Sequence, residues 1–543
     1  MKKLILIIIA AVCSFSSVQA QSFQLAKIGG SPSTDYGYGM CLDNAGNMYV
    51  AGCYKSNAAF DNVNVTSLGD FDIFIAKYNA AGALLWFKSA GSSAKDEADR
   101  IFLGPDGNIY VAGTFQSFCH WDNISIHAQG SEAGEDIFLA KLDTDGNYLW
   151  VKSYGGLSQD FISDMDVNNN SIFMSGYYYG TFLAPGGISL PPGTPSTGKF
   201  VMKLDLEGVP VWAKNTGGNT WISVSDNDYY IAGLISGTVN FDGTELTSNG
   251  PTDLFLARYD LNGNKVWLKQ FGGSGSENMR SVKYDKTTGS IYWAGSFQNT
   301  MIMGTNTLTS AGQHDIFISK FDLSGNNLWA KSVPGSGFDI ANATATDNSG
   351  NVYVSGYFTE TANFGGINVT SMGSGDLYIV KYNSNGDFQW VRTGGGAGQD
   401  NGMYLRTDNN SNIYLTGFFS GGAAFGSLSL AGYGSADFIL LKISTTTDIT
   451  YHNSLVRSFS LYQNYPNPFN PQTNIKFDLP ESGFVSLKVY DMKGKEVSIL
   501  AGQNMRSGSY SVNFNAAGLS SGIYFYKLSS GSFTETKKMI LVK

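Results

Sequence analysis

NMYVAG, residues 47–52, is a six-residue run with an aromatic in its middle and a glycine at its end. It returns as NIYVAG, SIFMSG, DYYIAG, SIYWAG, NVYVSG and NIYLTG, closing on Gly113, Gly176, Gly233, Gly295, Gly356 and Gly417. From Gly52 onward the gaps between these glycines are 61, 63, 57, 62, 61 and 61 residues. A period that steady marks an array of one supersecondary unit, repeated along the chain.

Two further phrases keep the same order in each unit. DIFIAKY (72–78) is answered by DIFLAKL, GKFVMKL, DLFLARY, DIFISKF, DLYIVKY and DFILLKI. A third phrase, DLSGNNLW in its clearest form, ends on Trp86, Trp150, Trp212, Trp267, Trp329 and Trp390, one copy fewer than the others. The missing copy is expected at the N-terminus, where FQLAKIGG (23–30) sets Leu25-Ala26-Lys27 against Trp212-Ala213-Lys214. A first strand that completes the last unit is how a ring of sheets closes, whereas an open solenoid needs caps.

Each unit reads as four strands with a variable segment between the second and third. Aromatic and β-branched residues on both faces fit sheets packed face to face, with the tryptophan sealing one sheet against the next. The turn before it has its own chemistry: Asp143, Asp260 or Asp322 bonds the turn backbone, and Gly146, Gly263 or Gly325 takes a positive φ. Calcium loops need a third acid and a bidentate Glu that these turns lack, so a structural turn is expected. Composition agrees, with 66 glycines, 14% aromatic and 15% charged residues among 543.

These phrases resemble the β-propeller repeat (SBBP) family of exported bacterial proteins, over about residues 22–444. The resemblance implies an all-β, seven-bladed β-propeller closed by the N-terminal strand. Units three and four depart most from it: Gly198-Lys199 replaces Asp-Ile, and the fourth unit is shortened.

Both ends of the chain carry addresses. Lys2, Lys3, an apolar run and small residues ending at Ala20 read as a signal peptide, residues 1–20. Its removal takes the formal charge from −9 to −11 with no basic cluster to offset it, which argues against nucleic acid. No later run is long enough to span a bilayer as a helix. Cys41, Cys53 and Cys119 remain, an odd set in which no disulfide is expected.

After a polar linker (445–460) the repeats stop and half-buried strand patterning begins, as in Ile475, Phe477 and Leu479. YPNPFNP (465–471), VYDMKGKEV (489–497), LSSGIYFYKL (519–528) and KKMILVK (537–543) closely resemble the type A (Por) C-terminal sorting domain of type IX secretion cargo. The resemblance covers residues 461–543 and implies a small Ig-like β-sandwich, the type IX machinery as a partner, and a secreted or surface destination. Pro466, Asn467, Pro468, Gly494, Gly522, Lys537, Lys538 and Lys543 carry the signal within those motifs.

For chemistry the chain offers little. His120, His127, His314 and His452 form no metal spacing, no nucleophile elbow occurs, and no cofactor is expected. One constellation stands out: Asp35, Asp96, Asp160, Glu277, Asp339 and Asp400 follow the outer strands at equivalent positions, with Thr220 in that place in unit four. They either ring a channel mouth, attracting cations or a hydroxyl-rich ligand, or bond loop amides between units. Trp221 belongs to no repeated phrase; it is a stacking platform for a sugar or aromatic ligand, or it fills space left by the short fourth unit. The expected function is a monomeric, non-catalytic binding or adhesion module with a glycan or surface-protein ligand. The alternative is a secreted polysaccharide-active or other propeller enzyme; a polysaccharide-active one requires two carboxylates roughly 5–10 Å apart.

Overall fold

A computed structural model describes residues 18–130, 134–193, 197–426, 428–452, 456–516 and 519–542. Most of the expected signal peptide, and Lys543, lie outside the described residues. The protein is all-β; among the described residues the one helical element is a 3-10 turn at Pro185–Gly187. A large compact unit spans Phe23–Lys442, and a smaller one includes Ile443–Lys543.

The repeated phrases of the large unit become antiparallel four-stranded meanders. Glu97–Leu103, Ile109–Gln116, Glu135–Leu142 and Tyr148–Tyr154 form one, each strand pairing with the next. The second phrase forms the third strand, and in Asp376–Tyr382 all seven residues are buried. Burial of both faces removes the alternation that a half-exposed strand shows. The variable segments are two-stranded ribbons that reach the neighbouring sheet. Thr300–Met303 pairs with Asn306–Thr309, and its Met301 and Ile302 bridge to Gly273 and Gly272 of the outer strand before it.

Three of the outer-strand tryptophans hydrogen-bond into the next unit's turn. The indole N–H of Trp86 donates to Thr144 O at 3.1 Å, that of Trp267 to Leu323 O at 2.9 Å and that of Trp329 to Ser384 O at 3.2 Å. Those turns are closed from within: Asp143 accepts the amides of Asp145 and Asn147, and Gly146, Gly263 and Gly325 hold φ of 87°, 81° and 79°. A Cβ on Gly325 would lie 3.0 Å from the Trp267 ring, so the turn needs glycine for clearance as well as for φ.

The basic residue of the second phrase makes a parallel set of links. Lys77 donates to Thr144 O, Lys141 to Leu206 O, Lys203 to Leu261 O, Arg258 to Leu323 O and Lys320 to Ser384 O, each in the following unit's turn. Lys442, near the end of the large unit, donates to Ala80 O in the first. Val18–Gly30 is hydrogen-bonded beside Asp437–His452. Lys27 pairs with Asp61 at 3.0 Å as Lys88 pairs with Asp122 at 2.7 Å, and Leu25 lies against Gly82 as Trp86 lies against Gly146.

Innermost in each meander is its first strand: Tyr36–Leu42, Glu97–Leu103, Asp160–Val167, Asn219–Val224, Glu277–Asp285, Ile340–Thr346 and Asn401–Thr407. Each lies beside the next, and Asn401–Thr407 also lies beside Tyr36–Leu42.

The smaller unit stacks two antiparallel sheets. Ser460–Leu461, Gln472–Leu479 and Gly508–Asn515 form one; Glu496–Met505, Gly483–Tyr490, Gly522–Ser530 and Phe533–Leu541 form the other. Ile475, Phe477, Val485, Leu487, Tyr526 and Met539 are among its core residues. The segment read as a polar linker departs from expectation. Asp437–His452 is one continuous strand, and its Ile449–His452 end pairs with residues 509–512 of the first sheet. Thr445, Thr446, Thr447, Ile449, Thr450 and Tyr451 supply β-branched and aromatic side chains, which favour a strand over a free linker.

Candidate functional site

The six repeated acids are buried, 0 to 2% exposed. Asp35 accepts the amides of Ser31 at 2.7 Å and Lys55 at 3.0 Å; Asp96 accepts the Ser92 hydroxyl at 2.7 Å and the Gln116 amide at 3.2 Å. Asp160 accepts from Gly156 N, Asp339 from Thr359 N, and Asp400 from Gly396 N and Ser420 N. Neither carboxylate oxygen of Glu277, one methylene longer, has a partner in hydrogen-bond geometry among the described residues. Each acid thus sits inside its own loop rather than in solvent.

Every one of them also faces a second carboxylate, the aspartate that opens the second phrase. Asp96 faces Asp72, Asp160 faces Asp136 and Asp400 faces Asp376. Burial, aided by the facing aspartate, pushes Asp35 and Asp400 up to about 6, Asp96 and Asp339 to about 7, and Asp160 and Glu277 to about 8. The repeated glycine between them makes room: a Cβ on Gly395 would lie 2.6 Å from Asp400 Oδ2 and 2.8 Å from Asp376 Oδ1.

Unit four corrects one placement. Thr220 pairs with Gly233, the place that Ile162 takes opposite Gly176 and Met279 opposite Gly295. Thr220 therefore stands two residues beyond the acid position, which Gly218 occupies in the shortened loop.

A second constellation sits on the inner strands, where six carry a register shift at the same place. Tyr38, Asp99, Ser163, Arg280, Asn342 and Met403 are the extra residues, each three positions after its acid. A bulge turns one side chain out of the alternation, and here it points all six into a common cavity of about 530 Å³. Asn219–Val224 has no shift, and in its place Trp221 lines the same cavity. Trp221 is half-buried, packed on the side of the core that holds Met279 and Trp293.

On the two strands that flank Trp221, the cavity's charges separate by sign. Asp164 and Asp166 come from Asp160–Val167, next to Trp221 on one side; Arg280 and Lys283 come from Glu277–Asp285, next to it on the other. Asp164 is satisfied by Arg100 Nε at 2.7 Å and the Ile222 amide at 3.1 Å, and Asp166 by the Val224 amide at 2.9 Å. Arg406 stacks on the rings of Tyr404 and Phe102, at 4.5 and 5.0 Å from their centroids. Burial, with Glu97 nearby, pushes Asp99 up to about 7. Arg280 and Lys283 make no ion pair or hydrogen bond with the described residues.

These cavity residues escaped the reading of the sequence because they fall between the repeated phrases. The available signal was their variety: the third residue after the acid is Tyr, Asp, Ser, Arg, Asn or Met, while the flanking phrases barely change.

In the tail, Asn467 accepts the Ile540 amide at 2.9 Å, and Phe469 exchanges bonds with Ile540 and Val542, so the YPNPFNP segment is held on the last strand. Gly494 has φ 79° in a turn that Asp491 closes. Gly522 opens a strand opposite Leu541; Lys538 is exposed, and Lys537 pairs with Glu535 at 3.0 Å.

Comparison with known proteins assigns the tail. Residues 463–543 match the family model described as "Secretion system C-terminal sorting domain". The chain carries this domain and is secreted by the type IX route to the cell surface or the extracellular space. The chain is similar to the WD repeat-containing protein L264 of Acanthamoeba polyphaga mimivirus, 26% identical over 74% of this chain and 36% of that protein. It is also similar to the regulatory protein FlaEY of Caulobacter vibrioides, 23% identical over 53% and 32%. The chain thus spans about a third of the length of these curated relatives. Among solved structures an ulvan lyase, a polysaccharide lyase, aligns with a TM-score of 0.37 and 10% identity over 78% of this chain and 97% of its own. No helix among the described residues is long and apolar enough to cross a membrane.

Proposed function

We propose that the chain is a non-catalytic binding protein of the cell exterior, built as a seven-bladed β-propeller of the SBBP kind, whose ligand enters the inner-strand cavity beside Trp221. Three sets of contacts support a closed ring: the neighbouring inner strands, the links from Lys77, Lys141, Lys203, Arg258 and Lys320 to the following unit, and Lys442 donating to Ala80 of the first. The propeller domain, residues 22–444, acts as a monomer, and the Ig-like tail, from 461 onward, serves delivery. The repeated acids hold the loops and leave ligand contact to the bulged residues.

The observation that carries this reading is the half-buried indole of Trp221 on the wall of a polar cavity, at the one inner strand that lacks the bulge. Structural space-filling alone would enclose the ring. An exported glycan or surface protein is the ligand class that meets such a wall outside the cell. The test is binding of the secreted protein to a glycan array and to purified surface proteins, alongside Trp221→Ala. Selective loss of binding by the variant, with unchanged unfolding, is the expected result. Release of new sugar ends from polysaccharide would instead establish the enzyme reading, for which Glu97 and Asp99 are the cavity carboxylates to mutate first.

A further inference from the structure

Resting on the reading of the cavity as the binding site, we propose that its ligand is an acidic saccharide, with a sugar ring laid on Trp221 and its anionic group held by Arg280 and Lys283. The argument begins with what the chain leaves unmatched. Of the four basic groups on the cavity wall, Arg100 is spent on Asp164 and the Ser163 carbonyl, and Arg406 on Tyr404 and Phe102. Asp164 and Asp166 are spent on Arg100 and on the backbone of the Trp221 strand. Arg280 and Lys283 remain, both on Glu277–Asp285, the strand beside Trp221. Arg280 is exposed to the cavity, and Lys283 is half-buried, with Asp166, Asp164 and Asp285 as well as Arg406 within electrostatic reach but none of the three carboxylates at ion-pair distance.

A cation held partly out of water without a partner is costly, and an anion from outside relieves that cost. The fork of Arg280 and the ammonium of Lys283 match the oxygens of a carboxylate or a sulfate. The rest of the wall speaks for a sugar rather than a purely apolar acid. Trp221 offers a flat face and an indole N–H that has no partner among the described residues, while Asn278 and Ser281 add hydrogen-bonding side chains from the strand that carries the two cations. A cavity of about 530 Å³ has room for one or two sugar rings at about the size of ordinary ligand sites.

The test uses the secreted full chain and three defined probes: an oligogalacturonate, a sulfated galactan oligosaccharide and a neutral cello-oligosaccharide, each titrated by calorimetry. Binding of at least one acidic probe, weakening as salt rises, is expected, and which one binds separates carboxylate from sulfate recognition. Arg280→Gln and Lys283→Gln should each weaken it roughly tenfold or more, a charge-assisted bond lost, with unfolding midpoints unchanged. Trp221→Ala should weaken it as well. If the neutral probe binds as tightly as the acidic ones, or the Gln variants bind normally, the acidic-saccharide assignment is overturned while the binding-site reading stands. If no acidic probe binds, the acidic-saccharide assignment falls, and if the glycan array and the purified surface proteins also give no binding, both readings fall.

Discussion

Replacing Asp96 by Asn tests whether the repeated acids are buried loop clasps. Asp96 is fully buried, accepts the Ser92 hydroxyl and the Gln116 amide, and faces Asp72. Its pKa is raised from 3.8 to about 7, chiefly by burial. For an acid raised on folding, the stabilising contribution is complete below the unfolded value of 3.8 and is lost as pH rises through about 7. Roughly three pKa units at 1.36 kcal/mol each put the loss at about 4 kcal/mol between pH 4 and pH 8. Asn cannot ionise, so Asp96→Asn should lose that part of the pH dependence. Urea unfolding followed by tryptophan fluorescence at pH 4, 5, 6, 7 and 8 measures it. The wild-type minus variant stability should fall steadily across that range, the variant gaining relative to wild type at pH 8. Parallel curves for the two proteins would show that Asp96 keeps a normal pKa and that the clasp account is wrong.

Phe23 packs edge-on against Phe425 at 5.6 Å and is 7% exposed, so Phe23→Ala should destabilise the large unit by about 3 kcal/mol. Hydrogen exchange should then speed up first in Asp437–His452, and uniform exchange would refute the closing role of the N-terminal strand. A stop after Ile443 removes the sorting domain together with the strand end that pairs with it. The product should fold but remain in the periplasm, and cell fractionation showing normal delivery would sink the assignment of export to the tail. Cys41, Cys53 and Cys119 are free, buried thiols with raised pKa values, so a thiol reagent should label them only after denaturation. Rapid labelling of the native protein would contradict the packing described around them.

Most of the strand order was legible because each phrase has one physical job that most units repeat. The tryptophan meets the next turn, the turn glycine makes room for it, and the lysine caps the turn carbonyl, so a change in one copy is punished locally. Even the displaced strand at Phe23 could be placed, since Leu25 and Lys27 keep the contacts of Trp86 and Lys88. The linker was misread because serine and threonine look polar in composition although threonine is a good strand former. Thr220 was misplaced because counting from the outer strand cannot detect a shortened loop, whereas pairing with Gly233 does.

The cavity was illegible for the opposite reason. A repeated residue answers to its own unit, as the buried acids do in their loops, and repetition therefore directs attention to the scaffold. A bulged residue on an inner strand packs against nothing that the repeat fixes, so Tyr38, Asp99, Ser163, Arg280, Asn342 and Met403 are free to differ. The bulge supplies the direction and the unit leaves the identity open. Only one inner strand gives up the bulge, and it is the one that carries a tryptophan, flanked by a hydrogen-bonded acidic pair on one side and, on the other, a basic pair that forms no hydrogen bond or ion pair with the described residues. In an array of near-identical units, chemistry directed at one ligand would have to break the repeat, and on the inner strands the repeat breaks at Trp221.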